Sequence, residues 1–534
     1  MQFKTEPLGY QRKAFDKLKE SFNGAIFLIM GRGKSKIAID LMAYKFLKGQ
    51  ITHALIVSPN LVHTQWVNEQ LPIHCPVPYV AHAYLPLKTK AYKRELLNYL
   101  NAPRPEGSLK ILSAYVDAFS HSNIDEVLEN FIVSGKTMII LDEATRAKNP
   151  SSKRTKKLVE TRKWCAGPAL ILTGTALAKR VSDIWSLYNF LDYSIINQPK
   201  MMFDVYHTVL IQRTFEVNRG RRITKTGEID EYFWNRVKRM WWSSNRTMDD
   251  IFDIATRLHM SPEDIRFIAE TSKFAKYKHV DELKEHLSPL TVFTDANDDV
   301  VLPPKTYKTV ELALDDVQAQ MLKQLKQYAV TVYEGKVMAL STAASLGMKA
   351  LQICGGFFSP MTVNNPDAES IPIACKNAKL EFILDQLDEI GDAQFLIFAV
   401  FTREIELIAS ELSKQGVTCG KLYGAASNEE RVSTVERFKS GDIQCVVCNP
   451  SVAGYGLNLQ GAALQIWYSR DYNTENRLQA EGRSSRIGST KTAVYIDLVY
   501  NVPFEKKVLE SNKEGRSLNE FFMNASLNDI MELL

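Results

Sequence analysis

Two acids stand side by side at Asp142 and Glu143, directly after the apolar run Met138-Ile139-Ile140-Leu141. A buried parallel strand delivers carboxylates in this way to the carboxyl edge of a sheet, where ligands bind in open α/β folds. Two acids there can divide the work of nucleotide hydrolysis. One holds the magnesium shell, and the other positions or deprotonates the attacking water. A strand end that merely meets solvent would leave the same pair, so the rest of the chain has to decide.

A second group with chemistry in it is Gly31-Arg32-Gly33-Lys34-Ser35. It follows an apolar strand candidate at 25–30 and opens a helical pattern through Ile37, Ala38, Leu41 and Tyr44. Strand, glycine loop, lysine, hydroxyl, helix is the order a phosphate-binding loop requires. The glycines let backbone N–H groups close on phosphate, Lys34 reaches the β/γ oxygens, and Ser35 can ligate magnesium. The helix N-terminus adds a positive dipole. The long pattern has a glycine five residues before Gly33; Leu28 stands there, so this is the short form, and a plain strand-to-helix turn is the rival.

Gln11 begins an amphipathic pattern at 10–22 that puts Phe15 and Leu18 on one face. Its amide can both donate to and accept from an adenine edge, although a solvated helix residue explains it as well. Arg483 and Arg486, three apart in Gln479-Ala480-Glu481-Gly482-Arg483-Ser484-Ser485-Arg486-Ile487-Gly488, share a face on a helix. Two guanidiniums on one face suit a γ-phosphate; two surface arginines are the bland alternative.

The elements that must position these groups alternate. Strand candidates at 54–57, 110–112, 138–141 and 169–172 run into Ser58-Pro59-Asn60, Ser113-Ala114-Tyr115, the acid pair and Thr173-Gly174-Thr175. A helix carrying Val62, Trp66 and Val67 follows the first of them. This alternation predicts a parallel sheet covered on both faces. After Asp192 it stops. Arg219 to Lys225 is basic, and 232–242 mixes aromatics with cations, which suits a nucleic-acid surface or a helical module that packs its aromatics inward. Leu302-Pro303-Pro304-Lys305 breaks the chain, and a helical stretch at 315–351 follows. Alternation resumes near Cys375, with strands expected at 394–398, 421–424, 444–448, 464–467 and 493–499. The CxxC at Cys445 and Cys448 has no second pair or histidine to complete a zinc site, so two buried thiols are expected.

Composition bounds the rest. A chain of 534 residues has room for three or four units. Hydrophobic residues make up 45% and charged ones 24%, an ordinary globular balance. A formal charge of +5 sets up no global field, so any nucleic-acid contact must come from local patches. Seven scattered cysteines predict reduced thiols and a cytosol-like compartment. The start has no apolar signal core, and no apolar run approaches the ~18 residues of a membrane helix.

In this order the motifs resemble the two-lobed motor of helicase superfamily two, and within it the Swi/Snf-type DNA translocases. The strongest matches are 142–150 with Ser151-Ser152-Lys153, Leu172-Thr173-Gly174-Thr175-Ala176-Leu177 with 185–191, Leu302 to Lys305, and 479–488. The resemblance implies an α/β fold of two RecA-like parallel-sheet lobes with a mainly helical insertion between them. The units expected are 1–192 as the ATP-binding lobe, 193–300 as the insertion, 301–374 as a helical linker, 375–503 as the second lobe, and 504–534 as a helical tail.

It implies ATP and Mg2+ as cofactors. Gln11, Gly31, Arg32, Gly33, Lys34, Ser35, Lys36, Asp142 and Gly456 would hold nucleotide, with Ser35 and Asp142 on the metal. Glu143 would activate water, and Arg483 and Arg486 would be arginine fingers. Thr173 and Thr175 would couple hydrolysis to movement, and Ser58, Pro59, Tyr115, Tyr423, Gly424 and Ser451 would meet the DNA backbone. Thr145 stands where the family usually has histidine and Ala176 where it usually has proline; the usual acids before the phosphate loop are Leu28 and Ile29.

The expected activity is a DNA-dependent ATPase that translocates on double-stranded DNA and remodels forks or branched DNA in replication, recombination or repair. A strand-separating DNA or RNA helicase and a nucleotide-gated scaffold with little turnover are the rivals. The expected partners are double-stranded or branched DNA and replication or recombination proteins, with no membrane and a monomeric motor. The expected location is cytoplasmic or nucleoid-associated in a bacterial or viral host, with the nucleus as the alternative.

Overall fold

The computed structural model describes residues 1–534 except 29–30, 61, 86–88, 121–123, 175–180, 213–227, 230–271, 294–304, 329, 334–335, 340–342, 359–369, 454–458, 460–461, 463, 485–492, 514–532 and 534. Thr175, Gly456, Arg486 and the basic and aromatic stretches at 219–225 and 232–242 lie outside the described residues. The chain divides into two compact units, one built from Met1–Ile29 and Gly33–Asp299, the other essentially from Val300–Leu534.

The first unit is organised on a seven-stranded, wholly parallel sheet. Its strands are β1 (Gly24–Phe27), β2 (His53–Ser58), β3 (Tyr79–Ala83), β4 (Leu109–Tyr115), β5 (Thr137–Asp142), β6 (Ala169–Thr173) and, much later in the chain, a short strand at Thr291–Phe293. The spatial order places that late strand at one edge, followed by β1, β6, β5, β2, β4 and β3. Every residue of β1, β2, β5 and β6 is buried. A strand covered on both faces must be apolar at consecutive positions, which is why these strands read as unbroken runs. Leu55, Leu141, Ile171 and Val57 pack on one side against Leu128, Phe131, Leu158 and Leu187 from the crossing helices.

Helix α1 (Gly9–Leu18) precedes β1, and helix α2 (Lys34–Leu47) follows it. Between residues 193 and 293 the described chain holds the helices Tyr193–Ile196, Lys200–His207 and Val280–Leu287. Strands occur there too, which the sequence pattern did not reveal. β7 (Thr208–Gln212) lies between β8 (Glu228–Ile229) and β9 (Ser272–Tyr277) in an antiparallel sheet. The strand Thr291–Phe293, β10, then joins β1 with Ala25 opposite Thr291 and Phe27 opposite Phe293. It is fastened from both sides: Lys17 Nζ donates to the Thr291 carbonyl at 2.9 Å, and the Tyr188 hydroxyl lies 2.5 Å from Thr291 Oγ1.

The second unit is also built on a wholly parallel sheet. β11 (Lys305–Leu312), β16 (Phe395–Phe398), β17 (Cys419–Leu422), β18 (Cys445–Cys448), β19 (Leu464–Trp467) and β20 (Ala493–Tyr500) lie in the order β11, β20, β19, β16, β18, β17. The hairpins β12–β13 (Val330–Tyr333 and Lys336–Ala339) and β14–β15 (Phe357–Phe358 and Ile371–Pro372) stand apart from it. β11 pairs with β20 along its whole length, so this sheet takes its first strand from the stretch expected to be linker. Phe395, Ile397, Val447, Ile466 and Leu498 form its core with Ile405, Ile408 and Leu412 of the helix Thr402–Lys414. Cys445 and Cys448 are free and buried on β18. Among the described residues no helix is long and apolar enough to cross a membrane.

Three histidines of the first unit give its stability a pH dependence. Burial, then the nearby cations Lys110 and Arg104, lowers His53 to about 4. Burial likewise takes His63 to about 4, and burial with Lys36 and Lys4 does the same to His74. Each must stay neutral in the folded chain but titrates near 6.5 when unfolded. The stability they confer is therefore intact above pH 6.5, erodes as pH falls toward 4, and is absent below that. For His63 alone this is on the order of 3 kcal/mol at full effect. Thermal melts between pH 7.5 and 4.5 should show the melting temperature falling with pH, with a shallower slope for His63→Leu. A flat profile would contradict the burial of these rings.

Candidate functional site

The sheet of the first unit presents its chemistry at one edge. Ser58 ends β2, Tyr115 ends β4, Asp142 ends β5 and Thr173 ends β6, and the loop after β1 leads into Lys34. Register aligns these ends, with Ser58 opposite Tyr115, Asp142 opposite Leu172 and Thr173 opposite Phe27. This carboxyl edge is where parallel α/β sheets take their ligands.

The loop after β1 is built by glycine. Gly31 and Gly33 have φ of 79° and 68°, conformations that other L-residues adopt only under strain. Gly33 has a second reason to lack a side chain: a Cβ there would lie 2.4 Å from the Gln11 amide nitrogen. Gln11 is buried, and its Oε1 accepts from the Leu8 N–H at 3.0 Å, capping helix α1. Gln11 and the glycine loop, 22 residues apart in sequence, are thus in contact. Lys34 opens α2, and its ammonium donates to the Leu28 carbonyl at 3.0 Å, folded back over its own loop. Ser35 is half-buried on the first turn of α2. Lys36, grouped with the nucleotide ligands from sequence, turns instead to Asp40 at 2.5 Å and sits 5.0 Å from the Phe3 ring centroid, so only its backbone remains to serve a phosphate. Arg32 is half-buried in the loop.

Asp142 and Glu143 are both buried. The carboxylate of Asp142 is held at each oxygen: the Trp66 indole donates to Oδ2 and the Glu143 backbone N–H to Oδ1, both at 3.0 Å. Glu143 stands in the left-handed region at φ 50°, ψ 54°, and a 3-10 turn, Ala144–Ala147, follows it. A non-glycine residue held there costs of order 1–3 kcal/mol and is typical of functional sites. Its effect is to turn the second carboxylate away from the direction β5 would have given it.

The residues expected at DNA fare unevenly. Ser58 and Pro59 are buried, because the chain turns there into the next helix and the Pro59 carbonyl takes the N–H groups of Val62 and His63. In this form neither side chain reaches the surface, and Thr173 is fully buried as well. Tyr115 is half-buried, stacked on Tyr84 with centroids 6.0 Å apart. In the second unit Gly424 is exposed, and Arg431 donates to the carbonyls of Tyr423 and Gly424 at 2.9 and 2.8 Å. Ser451 is half-buried and hydrogen-bonded to Asn449.

Arg483 lies on the helix Thr474–Ser484. That helix is anchored by a buried ion cluster that the sequence did not announce. Arg477 donates to both oxygens of Asp497 at 2.7 and 3.1 Å and to Glu481 at 2.8 Å. Arg470 donates to the same Asp497 through Nε and Nη2, each at 3.0 Å, and to the Leu498 carbonyl. Glu481 also accepts from the Tyr307 hydroxyl at 2.7 Å, tying the helix to β11. Burial alone would raise the Asp497 carboxyl; the guanidiniums of Arg470 and Arg477 outweigh it and hold the group below the usual range. Trp66 was missed in the same way, read from sequence as one apolar position on a helix.

Residues 17–355 match the SNF2-related domain family, and residues 378–488 match the helicase conserved C-terminal domain. The chain is similar to the SWI/SNF chromatin-remodeling complex subunit snf22 of Schizosaccharomyces pombe, 24% identical over 533 residues, which cover 94% of this chain and 27% of that protein. It is similar to Protein CHROMATIN REMODELING 24 of Arabidopsis thaliana, 23% identical over 494 residues, covering 90% and 42%. Among solved structures it is similar to the Sulfolobus solfataricus SWI2/SNF2 ATPase core in complex with dsDNA, 20% identical, covering 100% of this chain and 96% of that one with a TM-score of 0.37. The chain spans less than half the length of the two curated relatives named.

Proposed function

The chain belongs to the SNF2-related family, and from that premise we propose that it is an ATPase stimulated by double-stranded DNA, which it tracks along, with forked or branched DNA as its working substrate. The observation that carries this reading is the shared sheet edge, where the acid pair closing β5 and the lysine opening α2 flank β6. The donors there fit a magnesium nucleotide. Asp142 and Ser35 offer hard oxygens, the glycine loop offers N–H groups, and Lys34 offers a cation.

In this reading Lys34 leaves the Leu28 carbonyl for the β/γ oxygens, and Gln11, lying against the loop, meets the base. Glu143 orients the attacking water and takes its proton. Arg483 and Arg486 act as arginine fingers, and the helix that bears Arg483 is held stiff by Arg477 and Asp497. Magnesium, when bound by Asp142 and Ser35, neutralises charge on the phosphate oxygens. A ligand drives movement only by binding two states differently, and the γ-phosphate, present before hydrolysis and gone after it, would do so.

ATPase rates with double-stranded, single-stranded and forked DNA and with RNA, each over a salt series, test the proposal. Duplex or forked DNA should give the largest stimulation, falling steeply with salt as phosphate contacts release counterions. Equal stimulation by RNA, or none by duplex, would refute it. Fork unwinding without triplex displacement would favour the strand-separating rival.

A further inference from the structure

We propose that Trp66 is a positioning residue for Asp142, acting through its indole N–H to set the carboxylate that receives the metal. The inference rests on the reading of Asp142 given above and adds a residue to it.

The geometry begins with Pro72. A proline in a helix lacks its N–H and collides with the carbonyl four residues back. The turn ahead of it, Trp66–Gln70, is a π-helix, wider than an α-helix, and the Leu71 N–H reaches the Trp66 carbonyl five residues back. Such single wide turns interrupt α-helices frequently at functional sites. Here the turn joins Val62–Gln65 to Leu71–His74, and Trp66, its first residue, is fully buried. A tryptophan packed only for bulk needs no particular partner, but this one donates to Asp142 Oδ2 at 3.0 Å.

The consequence for the carboxylate is specific. With Oδ1 taken by the Glu143 N–H and Oδ2 by Trp66, Asp142 cannot rotate about its terminal torsion without losing a buried hydrogen bond. The plane of the carboxylate is therefore fixed. Partners of this kind, one step behind a metal ligand, change metal affinity by roughly 10–100-fold when removed. Trp66→Phe keeps a ring in the cavity and deletes the donor.

The test is nucleotide binding measured by calorimetry with ADP, in magnesium and separately in EDTA, for the parent, Trp66→Phe, Asp142→Asn and the double variant. We expect Trp66→Phe to weaken binding about tenfold in magnesium and to leave binding in EDTA unchanged. The loss should disappear in the Asp142→Asn background. If Asp142→Asn weakens magnesium-dependent binding and Trp66→Phe does not, the inference is wrong and the reading of Asp142 stands. If Asp142→Asn has no such effect, the reading itself is wrong. An equal loss with and without magnesium would mark Trp66 as packing alone. Should Trp66→Phe fail to fold, site-specific replacement by benzothienylalanine, which keeps the indole shape and puts sulfur in place of the N–H, decides the same question.

Discussion

Turnover by the Glu143→Gln variant is expected to fall by roughly 10²–10⁴-fold, the contribution of a positioned general base, while nucleotide stays bound. The substitution keeps the shape and the left-handed backbone of Glu143 and removes only its capacity to accept a proton. Asp142 keeps the hydrogen bond from the residue 143 backbone, because that donor is not a side chain. Lys34→Ala should behave differently. It takes a cation from the phosphates, so binding and turnover should fall together. Steady-state ATPase rates beside equilibrium nucleotide binding separate the two. A Glu143→Gln protein that hydrolyses ATP at the parent's rate would end the assignment of the acid pair.

The second large effect is expected from Asp497→Ala. Arg470 and Arg477 are almost wholly buried and both lean on this one carboxylate. Removing it strands guanidinium charge in the interior of the second unit, a change that typically costs about 3–5 kcal/mol. The unfolding temperature of that unit should drop by on the order of 10 °C. ATP turnover should fall as well, since the helix that Arg477 anchors also bears Arg483. Adding Arg470→Leu to Asp497→Ala should recover part of the lost stability, because one uncompensated charge then goes too. Denaturant titration of the parent, the single and the double variant reads this directly. A single variant as stable as the parent would mean that the cluster is not buried as the structure has it.

What could be read from the sequence was what local pattern encodes. β1, β2, β5 and β6 announce themselves because burial on both faces leaves no room for polar positions. The glycine loop is legible because positive φ and a crowding Gln11 leave few residue types that fit. β10 was not legible, since three residues carry no periodicity. β11 was not either: Lys305-Thr306-Tyr307-Lys308-Thr309 is exposed at the edge of its sheet and reads as a polar loop. The support of the site was equally hidden. Trp66 and Asp142 are 76 residues apart, and Arg477 and Asp497 are 20 apart. No spacing rule for helix or strand joins such pairs; only the packed fold does. Arg470 and Arg477 meet Asp497 only because β20 runs beneath them.

The late pairing of β10 with β1 also has a bearing on how the protein is made. Phe27 leaves the ribosome 266 residues before its neighbour Phe293. At roughly 5–20 residues per second, the outer rim of β1 stays bare for about a quarter of a minute to a minute. Throughout that interval a row of unpaired amides lies beside the glycine loop that opens α2, the kind of rim on which nascent chains stick to one another. The first unit is therefore finished only after its interrupting segment has been synthesised, and its yield in a cell depends on what shelters that strand during the wait.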